Sequence, residues 1–274
     1  MPGRFAAMDV VVFLKQVFDN TRMTVDAQGQ IAPSSPKMMN PLDEYALEQA
    51  LGLKDADPSL KLTVVCASAD AGAKEMLKKA IAAGADQAVL ITDESVLALD
   101  GLSRAKLLSA AVATLAQKAL IGPEAQALFL FGNQALDTGA GETGPAFAAL
   151  KGIASLAQVR DVTLDSENPG CVQAKRADSD GVESHRVALP CVLTAIKGGK
   201  ELRSSNIKGV MRANKTEIPV WGINDLGLSE AIGALRPIET LPREAKPSGQ
   251  TLNAASATEA AEAIVQYLAS LQAV

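Results

Sequence analysis

The sequence predicts an α/β fold: a mainly parallel, doubly wound sheet with helices on both faces, an added β-hairpin region and an extended C-terminal arm. Three observations predict it. Strand-like and helix-like stretches alternate several times through residues 9–131. Each strand-like stretch is a continuous apolar run rather than an alternating one, as strands buried on both faces require. Beyond the fourth run the rhythm changes to strand, turn, strand, the pattern of hairpins.

Val10–Leu14 (VVVFL) is the first buried strand. The segment TRMTVDAQGQIAPSSPKMMN carries turn residues and weak alternation, and reads as a loop or hairpin. In NPLDEYALEQALGLKDAD, Asn40 is a good N-cap, Pro41 suits the first helical position, and Asp43 and Glu44 complement the helix dipole. Leu42, Tyr45, Ala46, Ala50 and Leu53 share one face of that helix. Leu62–Ala67 is the second strand. AGAKEMLKKAIAAGAD is a helix stopped at Gly84 in the left-handed region. Gln87–Thr92 is the third strand, SRAKLLSAAVATLAQKAL a long amphipathic helix, and Ala127–Phe131 the fourth strand.

Val159–Leu164, Val172–Arg176 and Val187–Leu193 are further strands, with turns at ENPG and DSDG. LRPIETLPREAKPSGQTL is too Pro-rich for a helix and too long for an ordinary connection, so it reads as an arm lying on a surface. SATEAAEAIVQYLASLQ closes the chain as an amphipathic helix with Ser256 as its cap. The expected division is an α/β domain over 1–222 and a C-terminal arm and helix over 223–274.

With 274 residues, 48% of them apolar, the chain can bury a substantial core. Aromatic residues are only 3%, which predicts a core of Ala, Val, Leu and Ile. The net charge of −5 argues against nucleic acid. Cys66, Cys171 and Cys191 are widely spaced and contain no C-x-x-C, which fits a reducing compartment rather than a disulfide framework or a zinc site. His185 is the single histidine, and it reads as an edge-strand residue. No run of 18 apolar residues occurs. The opening MPGRFAAMDVVVF runs straight into a strand and is not read as a signal peptide; Met8 is a candidate start.

One stretch bears most of the chemistry: LFLFGNQALDTGAGETGPAFAAL. Its Gly139–Gly144 spells G-x-G-x-x-G, but seven residues separate it from the end of the strand, and it follows the fourth strand rather than the first. A dinucleotide fingerprint follows its strand at once. Two readings remain: a solvent loop, or a phosphate loop whose glycines let backbone N–H groups approach an anion at a helix N-terminus. In the second, Thr138 and Thr143 add hydroxyl donors, while Asp137 holds the loop through its own backbone. No G-K-[ST] is present, which excludes a Walker A loop. The start of the first helix is either simply a capped helix or a second nucleotide-facing helix end with Asn40 toward the ligand. Cys66 ends the second strand as a small core hydrophobe or a ligand contact. The basic KELRSSNIKGVMRANK is a solvated loop or a partner-docking loop with one apolar anchor. Neither a triad nor a paired-carboxylate or metal motif is visible.

Taken in order, VVVFLKQVFD, MNPLDEYALEQALGLK, AIAAGADQAVLI, LFGNQALDTGAGETGP, LPCVLTAIKG and IKGVMRANKTEI resemble the beta subunit of electron transfer flavoproteins over residues 8–220. The resemblance implies an adenine-nucleotide-binding sheet and an obligate heterodimer with an alpha subunit that holds the redox FAD. It also implies a structural AMP in this subunit, and electron shuttling from flavin dehydrogenases to a quinone oxidoreductase or another acceptor, with no substrate turnover of its own. The implied AMP site comprises Phe13 (through its backbone, where Ala is usual), Asn40, Pro41, Leu42, Asp43 and Cys66. It continues through Gly132, Asn133, Gln134, Ala135, Leu136 and Asp137, then Thr138, Gly139, Ala140, Gly141, Glu142 and Thr143.

The implied recognition loop, at about 200–215, docks through Ile207, where Leu is typical, with Arg203, Lys208 and Met211 beside it. GGKELRSS and ALDTGAG stand where bifurcating members carry N-E-P-R and D-G-D-T. That lowers a reading with a second FAD in this subunit, although ALDTGAGETG is not the usual AMP-type spelling either. Asn20 replaces an aromatic that reaches toward the flavin in some members. A standalone adenine-nucleotide-binding or hydrolysing protein is the alternative of another class. The expected compartment is the bacterial cytoplasm, or the mitochondrial matrix in a eukaryote.

Overall fold

The computed structural model describes residues 8–26, 31–32, 34–70, 72–198, 200–228, 249 and 251–270. They belong to a large α/β unit and a separate C-terminal unit.

In the large unit, β1 (Asp9–Leu14) leads to a short pair, β2 (Gln16–Phe18) and β3 (Lys37–Met39), and then to α1 (Pro41–Ala56). β4 (Lys61–Ala67), α2 (Ala73–Ala83), β5 (Gln87–Ile91), α3 (Gly101–Gln117) and β6 (Ala127–Gly132) follow. Next come α4 (Thr143–Lys151), β7 (Ala154–Leu164), β8 (Cys171–Asp178), β9 (Gly181–Ala188) and β10 (Cys191–Ala195). The described part of the unit closes with α5 (Ile207–Lys215), β11 (Val220–Trp221) and a 3-10 turn at Ile223–Leu226.

Nine of these strands form one sheet in the order β11-β5-β4-β1-β6-β10-β7-β8-β9. From β11 to β7 every pairing is parallel; β7, β8 and β9 pair antiparallel. The period of two along each strand sorts its side chains onto the two faces. Val10, Val12 and Leu14 pack with Leu47, Leu51, Leu77 and Ile81 of α1 and α2. Val11 and Phe13 pack with Leu107, Leu115 and Phe147 of α3 and α4. The chain leaves β1 toward β4 and β5, then returns to β6 on the other side of β1. The carboxyl ends of β1 and β6 therefore flank a topological switch point, where sheets of this kind open a crevice.

Four differences from the sequence expectations have physical causes. The expected strand Val187–Leu193 is two strands. β9 is the outer hairpin strand, and β10 lies inside the sheet between β6 and β7. Pro190 between them has no N–H to continue a ladder. β7 begins at Ala154, five residues early, and turns from its parallel partner β10 to its antiparallel partner β8 around Gln158, whose φ is +62°. The core is not purely aliphatic: Phe13, Phe129, Phe131 and Phe147 form one cluster, with Phe13 and Phe131 stacked at 4.3 Å between centroids. Gly84 does stop α2, but at φ +142° rather than in the left-handed helical region.

Trp221, Ile223 and Leu226 are buried among the α3-side core residues. The Pro-rich arm falls almost entirely on residues 229–248 and 250, outside the described residues. In the C-terminal unit, α6 (Ala257–Ser270) is capped as expected, Ser256 Oγ accepting from the Glu259 N–H at 3.2 Å. Ile264, Val265, Tyr267 and Leu268 are exposed on it.

Candidate functional site

A cavity of about 200 Å³ opens at the switch point. Its floor is apolar, made by Phe13 and Leu14 at the end of β1, Val65 and Ala67 of β4, and Phe131 of β6; Leu99 and Leu108 wall the α3 side. Its rim is polar, made by Lys15, Asn40, Asp43, Asp100, Arg104 and the loop that follows β6.

Asp43 holds the strand ends to the first turn of α1. Its carboxylate accepts from the Lys15 N–H at 2.6 Å, the Asn40 side-chain amide at 2.9 Å and the Gly132 N–H at 3.0 Å. Burial pushes its pKa up to about 7 against the pull of those hydrogen bonds and of the Lys15 charge. A Cβ on Gly132 would collide with this carboxylate and lie 2.8 Å from the backbone of Leu42 and Asp43. Close approach of β6 to α1 therefore demands glycine there.

Asn40 occupies the N-cap position, but its side chain does not cap α1. The fully buried amide instead donates to the Gln134 carbonyl at 3.0 Å and accepts from the Leu136 N–H at 3.0 Å. The expected cap is thus a clamp on the loop, because two backbone groups of that loop lie closer to hand than the helix N–H groups. The loop is fixed at further points. The Asn133 side chain accepts from Thr194 Oγ1 at 2.8 Å, and the Gly139 N–H donates to the Ala135 carbonyl at 2.8 Å. Glu142 accepts from the Gly101 N–H at 3.1 Å, joining the loop to the start of α3. Asp137 does not turn back on its own backbone as expected. It pairs with Lys15 Nζ at 2.6 Å, because the lysine extends from the end of β1 toward the loop.

The glycines of GAGETG divide the work. Gly139 and Gly141 take φ of +64° and +65°, the left-handed region where glycine carries no Cβ penalty. Gly144 lies in the first turn of α4, where a Cβ would stand 2.8 Å from Thr194 Cγ2 and 3.4 Å from the Phe131 ring. The loop folds over the cavity, and α4 begins at its rim, at Thr143.

The structure brings most of the expected site residues to this cavity. Phe13, Asn40 and Asp43 line it, as do Gly132, Asn133, Gln134, Ala135, Thr138, Ala140, Gly141, Glu142 and Thr143. Pro41, Leu42, Leu136, Asp137 and Gly139 do not; they form the supporting turn and the outer loop. Cys66 is fully buried among the α1 and α2 core residues, on the sheet face opposite Val65 and Ala67. Burial, with the Asp43 charge behind it, pushes its thiol up to about 12, so it is an inert core residue. Sequence reasoning missed Lys15, Arg104 and Phe131. Lys15 directly follows the first strand, the position where such sheets bind ligands, and that signal was available. Arg104 lies inside a helix with no local mark.

The basic segment expected as a loop is half helix. Residues 200–206 are irregular, and α5 follows, capped by Asn206, whose side chain accepts from the Gly209 N–H at 2.8 Å. One face of α5 is docked: Ala213 is buried, and Arg212 donates to the Ile81 and Ala85 carbonyls at the end of α2. The other face exposes Ile207 (81%), Val210 (45%) and Met211 (56%), with Lys208 also exposed. Arg203, expected at a docking surface, is spent inside the chain. Its guanidinium donates to Glu48 at 2.8 Å and pairs with Asp55 at 2.8 Å, and the carboxylates raise its pKa.

Among the described residues, no helix is long and apolar enough to cross a membrane, and no group of three or more His, Cys, Asp or Glu could hold a metal ion. Residues 28–226 match the family described as electron transfer flavoprotein domain. The chain is similar to electron transfer flavoprotein subunit beta of Megasphaera elsdenii, with 33% identity over 77% of each chain. It is 30% identical to the protein of the same description from Bacillus subtilis, over 94% of this chain and 96% of the other. Caffeyl-CoA reductase-Etf complex subunit CarD of Acetobacterium woodii is 28% identical over 95% of this chain and 98% of its own.

Proposed function

The chain belongs to the electron transfer flavoprotein family, and on that premise we propose that it is the beta subunit of a heterodimeric, cytoplasmic electron carrier. The alpha subunit holds the FAD, and that flavin supplies the redox chemistry. Electrons come from flavin dehydrogenases and leave to a quinone oxidoreductase or another acceptor. This chain turns over no substrate. It supplies a scaffold, a structural AMP site and a docking face.

The observation that supports the AMP site best is the cavity at the switch point. Its donor set fits a mononucleotide: an apolar floor with the Phe131 ring for a base, and a glycine loop running into the N-terminus of α4 for a phosphate. Such a nucleotide would be held by Asn133, Gln134 and Ala135 on one side and by the loop from Thr138 to Thr143 on the other. The loop is already tied to β1, α1 and α3 through Lys15, Asn40 and Glu142, so the chain presents a formed site. The docking face is the uncovered side of α5, with Ile207 as its most exposed apolar side chain.

The test is to purify the chain with its alpha subunit, denature the complex and count the released nucleotides. One FAD and one AMP per heterodimer is the expected result. Two FAD and no AMP would instead favour a bifurcating carrier. A monodisperse monomer that hydrolyses ATP would overturn the electron-carrier reading.

A further inference from the structure

Among the described residues, two cationic side chains line the cavity, Lys15 and Arg104. Lys15 is committed to Asp137 at 2.6 Å. The acids around the rim are also committed. Asp43 accepts three hydrogen bonds, Asp100 caps α3 by accepting from the Ser103 N–H at 2.7 Å, and Glu142 accepts from the Gly101 N–H at 3.1 Å.

Arg104, in the first turn of α3, differs from all of these. Among the described residues its guanidinium makes one hydrogen bond, to the Val96 carbonyl at 3.3 Å, and has no carboxylate within ion-pair distance. A guanidinium has five N–H donors in a planar fork suited to phosphate. Arg104 lines the cavity, and among the described residues its other donors have no hydrogen-bond partner. The side chain is half-buried, and burial holds its pKa below the ordinary guanidinium value while leaving it charged. A partly desolvated cation on a site wall is unfavourable alone and favourable once an anion shares the site.

We propose that Arg104 binds the phosphate of the nucleotide in this cavity, approaching from α3 while the backbone of residues 140–144 approaches from the other side. This rests on the reading of the cavity as a nucleotide site and adds the residue that selects a phosphorylated ligand over its nucleoside.

The experiment is calorimetric titration of the nucleotide-stripped heterodimer with AMP and with adenosine, for the wild type, Arg104→Gln and Arg104→Lys. Loss of one charge-assisted hydrogen-bonded contact corresponds to roughly a ten- to hundredfold loss of affinity. The expected result is that loss for AMP in Arg104→Gln, with adenosine affinity unchanged, and a smaller AMP loss in Arg104→Lys, which keeps the charge without the fork. Equal losses for both ligands, or none for either, would overturn the assignment of Arg104 while leaving the nucleotide site standing. If the wild type binds neither ligand, the nucleotide reading itself fails. Should Arg104→Gln not assemble, Arg104→Lys alone decides: an AMP-specific loss supports the proposal, and a loss shared with adenosine overturns it.

Discussion

Replacing Asp43 with Asn tests how the cavity is tied together. The carboxylate is buried, accepts three donors, and has its pKa pushed up to about 7 by burial. In the unfolded chain the same group titrates near 3.9. Between those values the unfolded chain has lost a proton that the folded chain keeps, so stability falls as pH rises. The contribution is fully present below about pH 4 and gone above about pH 7. Each pH unit well inside that window is worth about 1.4 kcal/mol, and the slope flattens as the folded group titrates, so the wild type loses on the order of 2 kcal/mol from this group between pH 5 and pH 7.

Asparagine cannot titrate. It can still accept from Asn40 and Gly132, but its NH2 then faces the Lys15 N–H that Asp43 accepted at 2.6 Å. That leaves a buried donor unpaired, at a cost of about 1–3 kcal/mol. Asp43→Asn is therefore expected to be less stable than the wild type at pH 5, with the gap closing or reversing by pH 8. Urea unfolding of both proteins at pH 5, 6, 7 and 8 measures this, because groups other than Asp43 cancel in the difference. A stability gap that stays constant across the four pH values would refute the reasoning, since it would mean that Asp43 is ionised throughout.

Three further perturbations follow from other contacts. Gly132→Ala places a methyl against the Asp43 carboxylate and the α1 backbone, neither of which can withdraw; a loss of more than about 2 kcal/mol is expected in thermal or urea unfolding, and a wild-type melting temperature would show that β6 and α1 are not this close. Ile207→Ala removes an exposed side chain, so stability and FAD content of the heterodimer should be unchanged while coupling to the dehydrogenase weakens; lost FAD would argue against a docking role. Arg203→Ala leaves the buried Glu48 carboxylate without its charged partner, with only the backbone N–H of residue 203 still donating to it, and a loss of about 2 kcal/mol in stability is expected; a loss of dehydrogenase coupling at unchanged stability would instead make Arg203 a contact residue.

Much of the sheet was legible because each strand of a doubly covered sheet must be apolar on both faces, and a run such as VVVFL has no other stable place. The loop GNQALDTGAGETG was legible as a unit for a related reason: left-handed backbone and close helix–strand packing both require glycine, and it stands at the end of an apolar strand. Local pattern failed where the partner of a residue is distant in sequence. Asn40 read as a helix cap because its neighbours call for one, yet its amide is taken by Gln134 and Leu136, nearly a hundred positions away. Cys66 read as a small core hydrophobe or a ligand contact, and the pleat decides for the core, turning it to the α1 side while Val65 and Ala67 face the α3 side. Val187–Leu193 read as one strand because its apolar run outweighed one proline.

By itself, then, the sequence determined the alternation of strands and helices, the covered parallel sheet and the glycine loop, since those follow from burial and backbone geometry within short windows. The tertiary structure alone decided which side chains face the cavity. Strand order brings the ends of β1 and β6 together, Asp43 and Asn40 are captured there, and Arg104 is set among them with no ion-paired carboxylate among the described residues. Burial and charge at a site are sums over residues far apart in the chain, and no local window contains them.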